Sequence, residues 1–85
     1  MPIIKLFANL RIVAGTKETS IAGASVGEIL SELVKRNPAL AESLFENGQI
    51  RPHVLLTING QITTDLDAPL QEQDILAIFP PIAGG

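Results

Sequence analysis

One segment of this 85-residue chain has the pattern of a long amphipathic helix, and that segment limits the possible folds most. Ser25 and Glu28 have the spacing of a capping box, in which the Ser hydroxyl accepts from the backbone N–H three residues on and the Glu reaches back. The apolar residues that follow recur at helical spacing and form one stripe, made of Val26, Ile29, Leu30, Leu33 and Val34. The residue before a proline is disfavoured in helical geometry, so Asn37-Pro38 ends the helix.

Most of the remaining chain has the apolar pattern of β-strands. Alternating or continuous apolar runs predict strands over residues 3–10, 19–21, 54–58, 61–63 and 74–79. Gly15 lies in a predicted turn between the first two strands, and this short connection favours an antiparallel hairpin. Asn59-Gly60 is a strong signal for a second tight turn. Residues 39–45 are predicted to add a short helical segment, which Asn47-Gly48 closes.

The last strand, residues 74–79, is almost wholly apolar, which predicts a central position in the sheet. More than enough chain separates it from the first strand for a crossover, so the two strands can lie parallel. These elements predict an α+β fold of the β-grasp type, with a mixed sheet of four to five strands and one main helix packed on one face. We expect residues 1–79 to form this domain and residues 80–85 to form a flexible C-terminal tail.

A single helix covers only one face of a sheet, and the opposite face of this sheet is predicted to be apolar. The covered face is assigned Ile4, Leu6, Ala8, Leu56, Ile58, Leu76 and Ile78. The opposite face is assigned Phe7, Leu55, Ile75, Ala77 and Phe79. A solvated face alternates toward polar residues, so this pattern predicts an exposed apolar patch that serves as a partner site. The alternative is that residues 39–45 or the 61–73 loop fold over it.

The sequence ends in IFPPIAGG, and this composition predicts a stalk with a reactive tip. Pro80 and Pro81 fix their own φ angles and favour an extended chain, so six residues reach about 20 Å at ~3.3 Å each. Gly84 and Gly85 have no Cβ and fit where side chains would clash. The predicted reacting group is the Gly85 carboxylate. It needs activation before a nucleophile attacks, and the absence of a phosphate-binding loop assigns that activation to a separate enzyme.

The charge of the chain does not favour nucleic-acid binding. Net charge is −3, and the chain has three Phe residues but no Trp or Tyr for base stacking. The basic residues are scattered along the sequence, as Lys5, Arg11, Lys17, Lys35, Arg36 and Arg51. A stripe of basic side chains for a phosphate backbone is therefore not expected.

Composition also bears on membranes, metals and redox chemistry. No apolar run approaches the ~20 residues of a membrane span, and the N-terminus opens into a strand pattern, so we expect a cytoplasmic protein without membrane contact. The chain has no cysteine, which excludes disulfides and thiol catalysis. His53 is the only histidine, and Asp65, Asp67 and Asp74 lie in turn sequence, so no metal site is predicted.

Five segments resemble the MoaD/ThiS family of sulfur carriers, and the resemblance spans nearly the whole chain. They are KLFANLRIVAG near the start, ASVGEIL at the helix, INGQ at the turn, LDAPLQEQD before the last strand and the terminal IFPPIAGG. The resemblance is closest to the MoaD branch, because the LFA-x-LR start and the FPP-x-x-GG ending occur together. Ile12 departs from the pattern, since an acidic residue is frequent at that position.

The resemblance implies a function for the tail. Gly85 would be adenylated by an ATP-using, MoeB-like activating enzyme and converted to a thiocarboxylate by a sulfur donor system. The tail would then enter a MoaE-like large subunit and deliver sulfur in molybdenum cofactor biosynthesis, so this chain would be the small subunit of molybdopterin synthase. Phe7, Arg11 and Phe79 would contact partners, and the channel would take Pro80, Pro81, Ile82, Ala83 and Gly84. No cofactor would be bound by the chain itself.

Three other functions stay open. A sulfur carrier of this kind also serves the thiazole of thiamine or the synthesis of cysteine. A protein modifier would be joined through Gly85 to lysines of its targets. A plain interaction domain would carry its two final glycines without using them.

Overall fold

A computed structural model describes residues 1–80 of the chain. The helices are α1 (Asn9–Ala14), α2 (Val26–Arg36) and α3 (Ala39–Leu44). The strands are β1 (Ile3–Leu6), β2 (Glu18–Ser20), β3 (Phe45–Glu46), β4 (Gln49–Ile50), β5 (Leu55–Ile58), β6 (Gln61–Thr63) and β7 (Ile75–Phe79). The predicted flexible tail lies, apart from Pro80, outside the described residues, so its separation from the domain over residues 1–79 stays a prediction.

Five of the strands form one mixed sheet in the order β2-β1-β7-β5-β6. The last strand, β7, is central; it pairs parallel to β1 and antiparallel to β5, which confirms the predicted position and direction. The predicted hairpins are present too, with β2 antiparallel to β1 and β6 antiparallel to β5. This is the β-grasp arrangement.

Helix α2 begins as the capping box predicts. The backbone N–H of Glu28 donates to Ser25 Oγ at 3.3 Å, and the Ser25 hydroxyl donates to the Glu28 carboxylate at 3.4 Å. The carboxylate thus binds the hydroxyl of Ser25 in place of its backbone N–H. The loop after β6 accepts two further donors of the first turn, since Val26 N–H donates to the Ala68 carbonyl and Gly27 N–H to the Leu66 carbonyl. Together these bonds satisfy N–H groups that have no partner within the helix.

The core lies between α2 and one face of the sheet, which is called the covered face here. From the predicted set, Ile4, Leu6, Leu56, Leu76 and Ile78 are buried in it, and Ile58 is half-buried against it. Helix α2 contributes Val26, Ile29, Leu30 and Leu33. At roughly 1.5–3 kcal/mol for each fully buried aliphatic side chain, this burial is the main stabilising contribution to the fold.

The first strand is shorter than predicted, and the assignment of Ala8 to the covered face is wrong. β1 ends at Leu6, and Ala8 is exposed with φ 54° and ψ −135°, a conformation that turns the chain out of the sheet. Residues Asn9–Ala14 then form α1, which ends at Gly15 in left-handed geometry, so the predicted turn at Gly15 is a helix terminus. Leu10 of α1 is buried and reaches the core from that helix.

Neither segment that could fold over the opposite sheet face does so in the described residues. Helix α3 places Leu40 and Leu44 in the core, which puts it on the covered side of the sheet. The loop after β6 also lies on that side, where Leu66 and Ala68 pack against the core and Leu70 is part of it. Within residues 1–80, the face opposite α2 therefore stays uncovered; it is called the open face below.

Asp74 holds the start of β7, as its predicted turn role requires. Its carboxylate accepts from the backbone N–H of Gln71 at 2.8 Å and from Asn59 Nδ2 at 2.9 Å. Asn59 Oδ1 in turn accepts from the backbone N–H of Ile75 at 2.9 Å. The hydrogen-bonded pair of Asp74 and Asn59, called the clamp below, thus joins the β5–β6 turn to β7. The hydrogen bonds to Gln71 and Asn59 lower the pKa of Asp74 below its ordinary value of 3.8.

This clamp is expected to make folding stability depend on pH under acidic conditions. A carboxylate whose pKa is lowered by folding contributes stability that is present above pH 3.8 and is lost as pH falls through the folded-state pKa. Urea unfolding from neutral pH down to about 2.5 should therefore show a decline that is shallower in Asp74→Asn, because that variant has no proton to bind there. Asp67→Asn, whose carboxylate accepts no hydrogen bond within residues 1–80, is the control and should keep the wild-type slope. Equal slopes for wild type and Asp74→Asn would contradict the assignment.

Candidate functional site

The open face brings the predicted patch residues onto neighbouring strands. In the β5–β7 ladder Leu55 lies opposite Phe79, and in the β1–β7 ladder Lys5 lies opposite Ala77. Residues directly opposite one another in adjacent strands share a face of the sheet. Leu55, Ala77 and Phe79 therefore lie side by side at the end of β7 from which the tail departs.

An aromatic stack completes this end of the face. The rings of Phe7 and Phe79 are stacked with centroids 4.3 Å apart and planes at 13°. The guanidinium of Arg11 lies 5.2 Å from the centroid of the Phe7 ring, within the range of a cation–π interaction. Arg11 Nε donates to the carbonyl of Leu6 at 2.9 Å, which fixes the direction of the side chain. The stack joins the residue that follows β1 to the last residue of β7, next to the start of the tail.

The structure groups four of the predicted open-face residues with Arg11, and it places Ile75 at the end of β7 away from the aromatic stack. Phe7, Arg11, Leu55, Ala77 and Phe79 form one surface, called the aromatic patch below. Ile75 shares the face but lies beside Ile3, four residues before Phe79, which is about 13 Å along a strand at ~3.3 Å per residue.

The aromatic patch is less exposed than alternation alone predicts. Leu55 is 39% exposed, whereas Ala77 is only 9% exposed and lies lower than the larger side chains around it. Phe7 and Phe79 are half-buried because each ring covers one side of the other. The apolar area that remains accessible is thus concentrated on the outer ring faces and on Leu55.

Two exposed apolar side chains, Ile62 and Ile12, were not among the predicted site residues. Ile62 on β6 lies opposite Thr57 of β5, which places it on the open face, and it is 68% exposed. The sequence contains a signal for Ile62, because the alternation within residues 61–63 and the turn at Asn59-Gly60 together assign its side chain to the open face. Ile12 follows Arg11 in α1 and is 83% exposed. Ile62 therefore enlarges the exposed apolar surface of the open face.

The backbone at Ala8 sets the positions of Phe7 and Arg11. Its positive φ of 54° with ψ −135° lies in a region that L-residues rarely adopt and glycine adopts readily. The carbonyls on either side of this turn accept from the first turn of α1, since Leu10 N–H donates to Phe7 and Arg11 N–H donates to Ala8. The strained turn thus places the Phe7 ring and the Arg11 guanidinium on the same side.

Relief of this strain predicts a stabilised variant. Ala8→Gly should raise the free energy of unfolding by about 1 kcal/mol, because glycine adopts this conformation without the steric penalty of a Cβ. Ala14→Gly, the same change at a helical position of α1, is the matched control and should lower it by about 1 kcal/mol. Chemical denaturation of both variants measures the difference. A destabilised Ala8→Gly variant would show that the turn is not strained.

The tail begins directly at the aromatic patch. Phe79 is both the last residue of β7 and one ring of the stack, and Pro80 follows it half-buried. The remaining predicted tail residues lie outside the described residues: Pro81, Ile82, Ala83, Gly84 and Gly85. A protein that binds the aromatic patch is therefore placed within a few residues of the tail.

Other kinds of site have little support in residues 1–80. In this part of the chain no group of three or more His, Cys, Asp or Glu side chains could hold a metal ion. His53 is exposed. Asp65 accepts from the backbone N–H of Asp67 at 2.9 Å, in agreement with its predicted turn role. No helix of the described residues is long and apolar enough to cross a membrane.

Comparisons with known proteins agree with this geometry. The model of the ThiS family matches residues 4–85. Small archaeal modifier protein 3 of Haloferax volcanii is 35% identical over 88 residues, which cover 96% of each chain. The molybdopterin synthase sulfur carrier subunit of Arabidopsis thaliana is 36% identical over 85 residues, which cover 96% of this chain and 80% of that one.

A solved structure gives the same result for the fold. The solution structure of small archaeal modifier protein 1 from Methanosarcina acetivorans superposes with a TM-score of 0.90 at 34% identity, covering 99% of this chain and 95% of that one. The β-grasp topology and the family match lead to one assignment. The chain belongs to the MoaD/ThiS family of ubiquitin-like sulfur carriers and modifiers.

Proposed function

We propose that this chain carries sulfur on the carboxyl group of Gly85 and acts as the small subunit of molybdopterin synthase. One observation carries the proposal: Phe79 belongs both to the aromatic stack and to the strand end from which the tail departs. A partner that docks on the stack therefore has the tail within reach of its own active site. The 36% identity to a molybdopterin synthase sulfur carrier subunit supports molybdenum cofactor biosynthesis as the pathway that receives the sulfur.

The chemistry starts with activation of the terminal carboxylate. A carboxylate resists nucleophilic attack, so its oxygen first attacks the α-phosphorus of ATP and releases pyrophosphate. A persulfide of the donor system then attacks the acyl carbon of the adenylate and AMP leaves, which gives an acyl disulfide. A thiol attacks the donor sulfur of that disulfide and breaks the S–S bond, so that the thiocarboxylate leaves and the thiol and donor are joined in a new disulfide. ATP is bound by a MoeB-like activating enzyme, and this chain contributes the acyl group and a docking surface.

Delivery uses the same tail in a second partner. A MoaE-like large subunit would bind the aromatic patch and enclose Pro80, Pro81, Ile82, Ala83 and Gly84 in a channel, so that the sulfur on Gly85 faces its acceptor. The prolines limit the conformations that the tail loses on insertion, which lowers the entropy cost of binding. Because the activation step needs ATP, we place this cycle in the cytoplasm.

A second function is favoured by a specific finding. Two relatives, with 35% and 36% identity, are small archaeal modifier proteins of Haloferax volcanii. Conjugation would use the same adenylated Gly85, with a lysine amine as the nucleophile in place of sulfur. The thiazole of thiamine and cysteine remain alternative products of a sulfur carrier.

Intact-protein mass spectrometry of the chain purified from its own host separates these functions. A sulfur carrier shows a species about 16 Da heavier than the free acid, since one oxygen is replaced by sulfur at the acyl carbon. A modifier shows covalent adducts with other proteins, and their fragments carry Gly85 on a lysine. The same spectrum tests whether Gly85 is the last residue of the mature chain. Recovery of the free acid alone, without adducts, would overturn both functions.

A further inference from the structure

Three of the six basic residues, which appear scattered along the sequence, line one hollow beside the aromatic patch. The hollow has a volume of about 230 Å³ and is lined by Lys5, Leu6, Phe7, Arg11, Lys17 and Glu18. β1 and β2 supply Lys5 and Glu18, which lie opposite one another, while Arg11 comes from α1. Three cations thus face a single carboxylate, in a chain whose net charge is −3.

None of these three cations is neutralised by an ion pair within residues 1–80. The ion pairs of this part of the chain join Met1 to Glu72, Lys35 to Glu32 and Arg51 to Glu46. Arg11 uses Nε to donate to the Leu6 carbonyl, and its outer nitrogens carry no hydrogen bond in the described residues. The hollow therefore presents positive charge with donors that an external anion can accept from.

The position of the hollow indicates that the anion belongs to a partner protein. Phe7 and Arg11 belong to both the hollow and the aromatic patch, so a protein that covers the patch also covers the hollow. The volume of about 230 Å³ lies below the roughly 300–1,000 Å³ of small-molecule pockets, which favours a protruding side chain over a free ligand. Exclusion of water by the partner would strengthen the attraction between the opposite charges.

We propose that this hollow binds an acidic segment, with Asp or Glu side chains, of the protein that receives or loads the tail; the inference rests on the proposed function because that protein is the one that covers the aromatic patch. Lys5 and Lys17 select a partner that has a carboxylate next to its apolar contact surface. Charges at the rim of an interface steer association and exclude like-charged proteins.

A titration of the full ¹⁵N-labelled chain tests the site without the partner in hand. The probe is a synthetic hexapeptide of alternating Glu and Leu, and the matched peptide has Gln in place of every Glu. The acidic peptide should shift the amide signals of Lys5, Arg11 and Lys17 saturably, and the Gln peptide should not. Binding should weaken strongly between about 0.1 M and 1 M salt, where the Debye length falls from ~10 Å to ~3 Å.

Variants assign the effect to the lysines. Lys5→Gln combined with Lys17→Gln should lower the affinity for the acidic peptide about fivefold, as expected for the loss of two exposed charge pairs. Lys35→Gln, which removes a lysine of α2 that is paired with Glu32, is the control and should bind like wild type. Unchanged amide shifts in the core of the double variant show that it is folded.

Three results would overturn the proposal. They are equal binding of the Gln peptide, unchanged affinity in the double variant, and displacement of the acidic peptide by an equimolar amount of inorganic phosphate, which would assign the hollow to a small anion. The titration does not need Gly85 to react. Peptide binding without a thiocarboxylate in the host therefore overturns only the carrier function, whereas a thiocarboxylate without peptide binding overturns only the acidic-segment site.

Discussion

Replacement of Gly85 by alanine is expected to lower thiocarboxylate formation about 100-fold, the loss that a misplacement of ~1 Å at a reacting centre produces. The physical reason is local to the tip. A Cβ next to the acyl carbon widens the tail where it has to pass a narrow active site and turns the carboxyl group away from its attacking partner. The measurement is ATP-dependent thiocarboxylation by the activating enzyme of the same organism, followed by intact-protein mass spectrometry.

Gly48→Ala is the matched control for this prediction, because it makes the same change at a glycine far from the tail. Gly48 has a positive φ of 79° in the turn between β3 and β4, and a Cβ there would meet no atom within 4 Å. Its replacement should therefore lower stability by about 1 kcal/mol through backbone strain and leave thiocarboxylation unchanged. Gly85→Ala should leave stability unchanged and lower thiocarboxylation. Normal thiocarboxylation of the Gly85→Ala chain would show that Gly85 is not the reacting residue.

Replacement of Phe79 by alanine is expected to weaken the interaction with the activating enzyme about 30-fold, the size of a ~2 kcal/mol aromatic hot spot. The variant removes one ring of the stack and leaves Phe7 without the neighbour that covers it 4.3 Å away. The aromatic patch then loses apolar area and the ring that packs against Phe7. The readout is kcat/KM for carrier-dependent ATP–pyrophosphate exchange, which reports docking and activation before sulfur transfer.

Ile75→Ala separates the role of the patch from general destabilisation. Both residues are half-buried on the open face of β7, at opposite ends of the strand. Each change should lower stability by about 2 kcal/mol, roughly half the cost of truncating a fully buried side chain. Only Phe79→Ala should lower kcat/KM substantially, since Ile75 lies four residues from Phe79, which is about 13 Å along the strand, and is not part of the aromatic stack. Similar losses in the two variants would place the partner surface elsewhere or extend it over the whole face.

Local patterns in the sequence predicted most of the fold because each depends on neighbouring residues. The capping box at Ser25 and Glu28 begins α2, and Asn59-Gly60 makes the β5–β6 turn with positive φ at both residues. Apolar composition alone identified β7 as the central strand. These features were predictable because local hydrogen bonds and burial on both faces of a strand directly restrict which residue types occur there.

Helix α1 and the two strands β3 and β4 were missed because they are short and their patterns are ambiguous. Leu10 fits the alternation of a strand that continues from Ile4, and it fits equally the helical spacing with Val13 and Ala14 that α1 uses. The turn at Ala8 decides between the two, and alanine does not signal a positive φ. The β3–β4 ribbon has two residues in each strand, which is too short for any periodicity to appear.

The sequence by itself determined the β-grasp topology, the apolar character of the open face and the family, since these follow from periodicity, turn residues and terminal motifs. Only the tertiary structure decided which residues of that face act together. It stacks Phe7 on Phe79 from opposite ends of the chain, places Ile75 apart from them, and gathers Lys5, Arg11 and Lys17 around one hollow. The physical reason is that a contact between distant residues depends on strand order, register and a strained turn acting together, and no single stretch of sequence encodes all three.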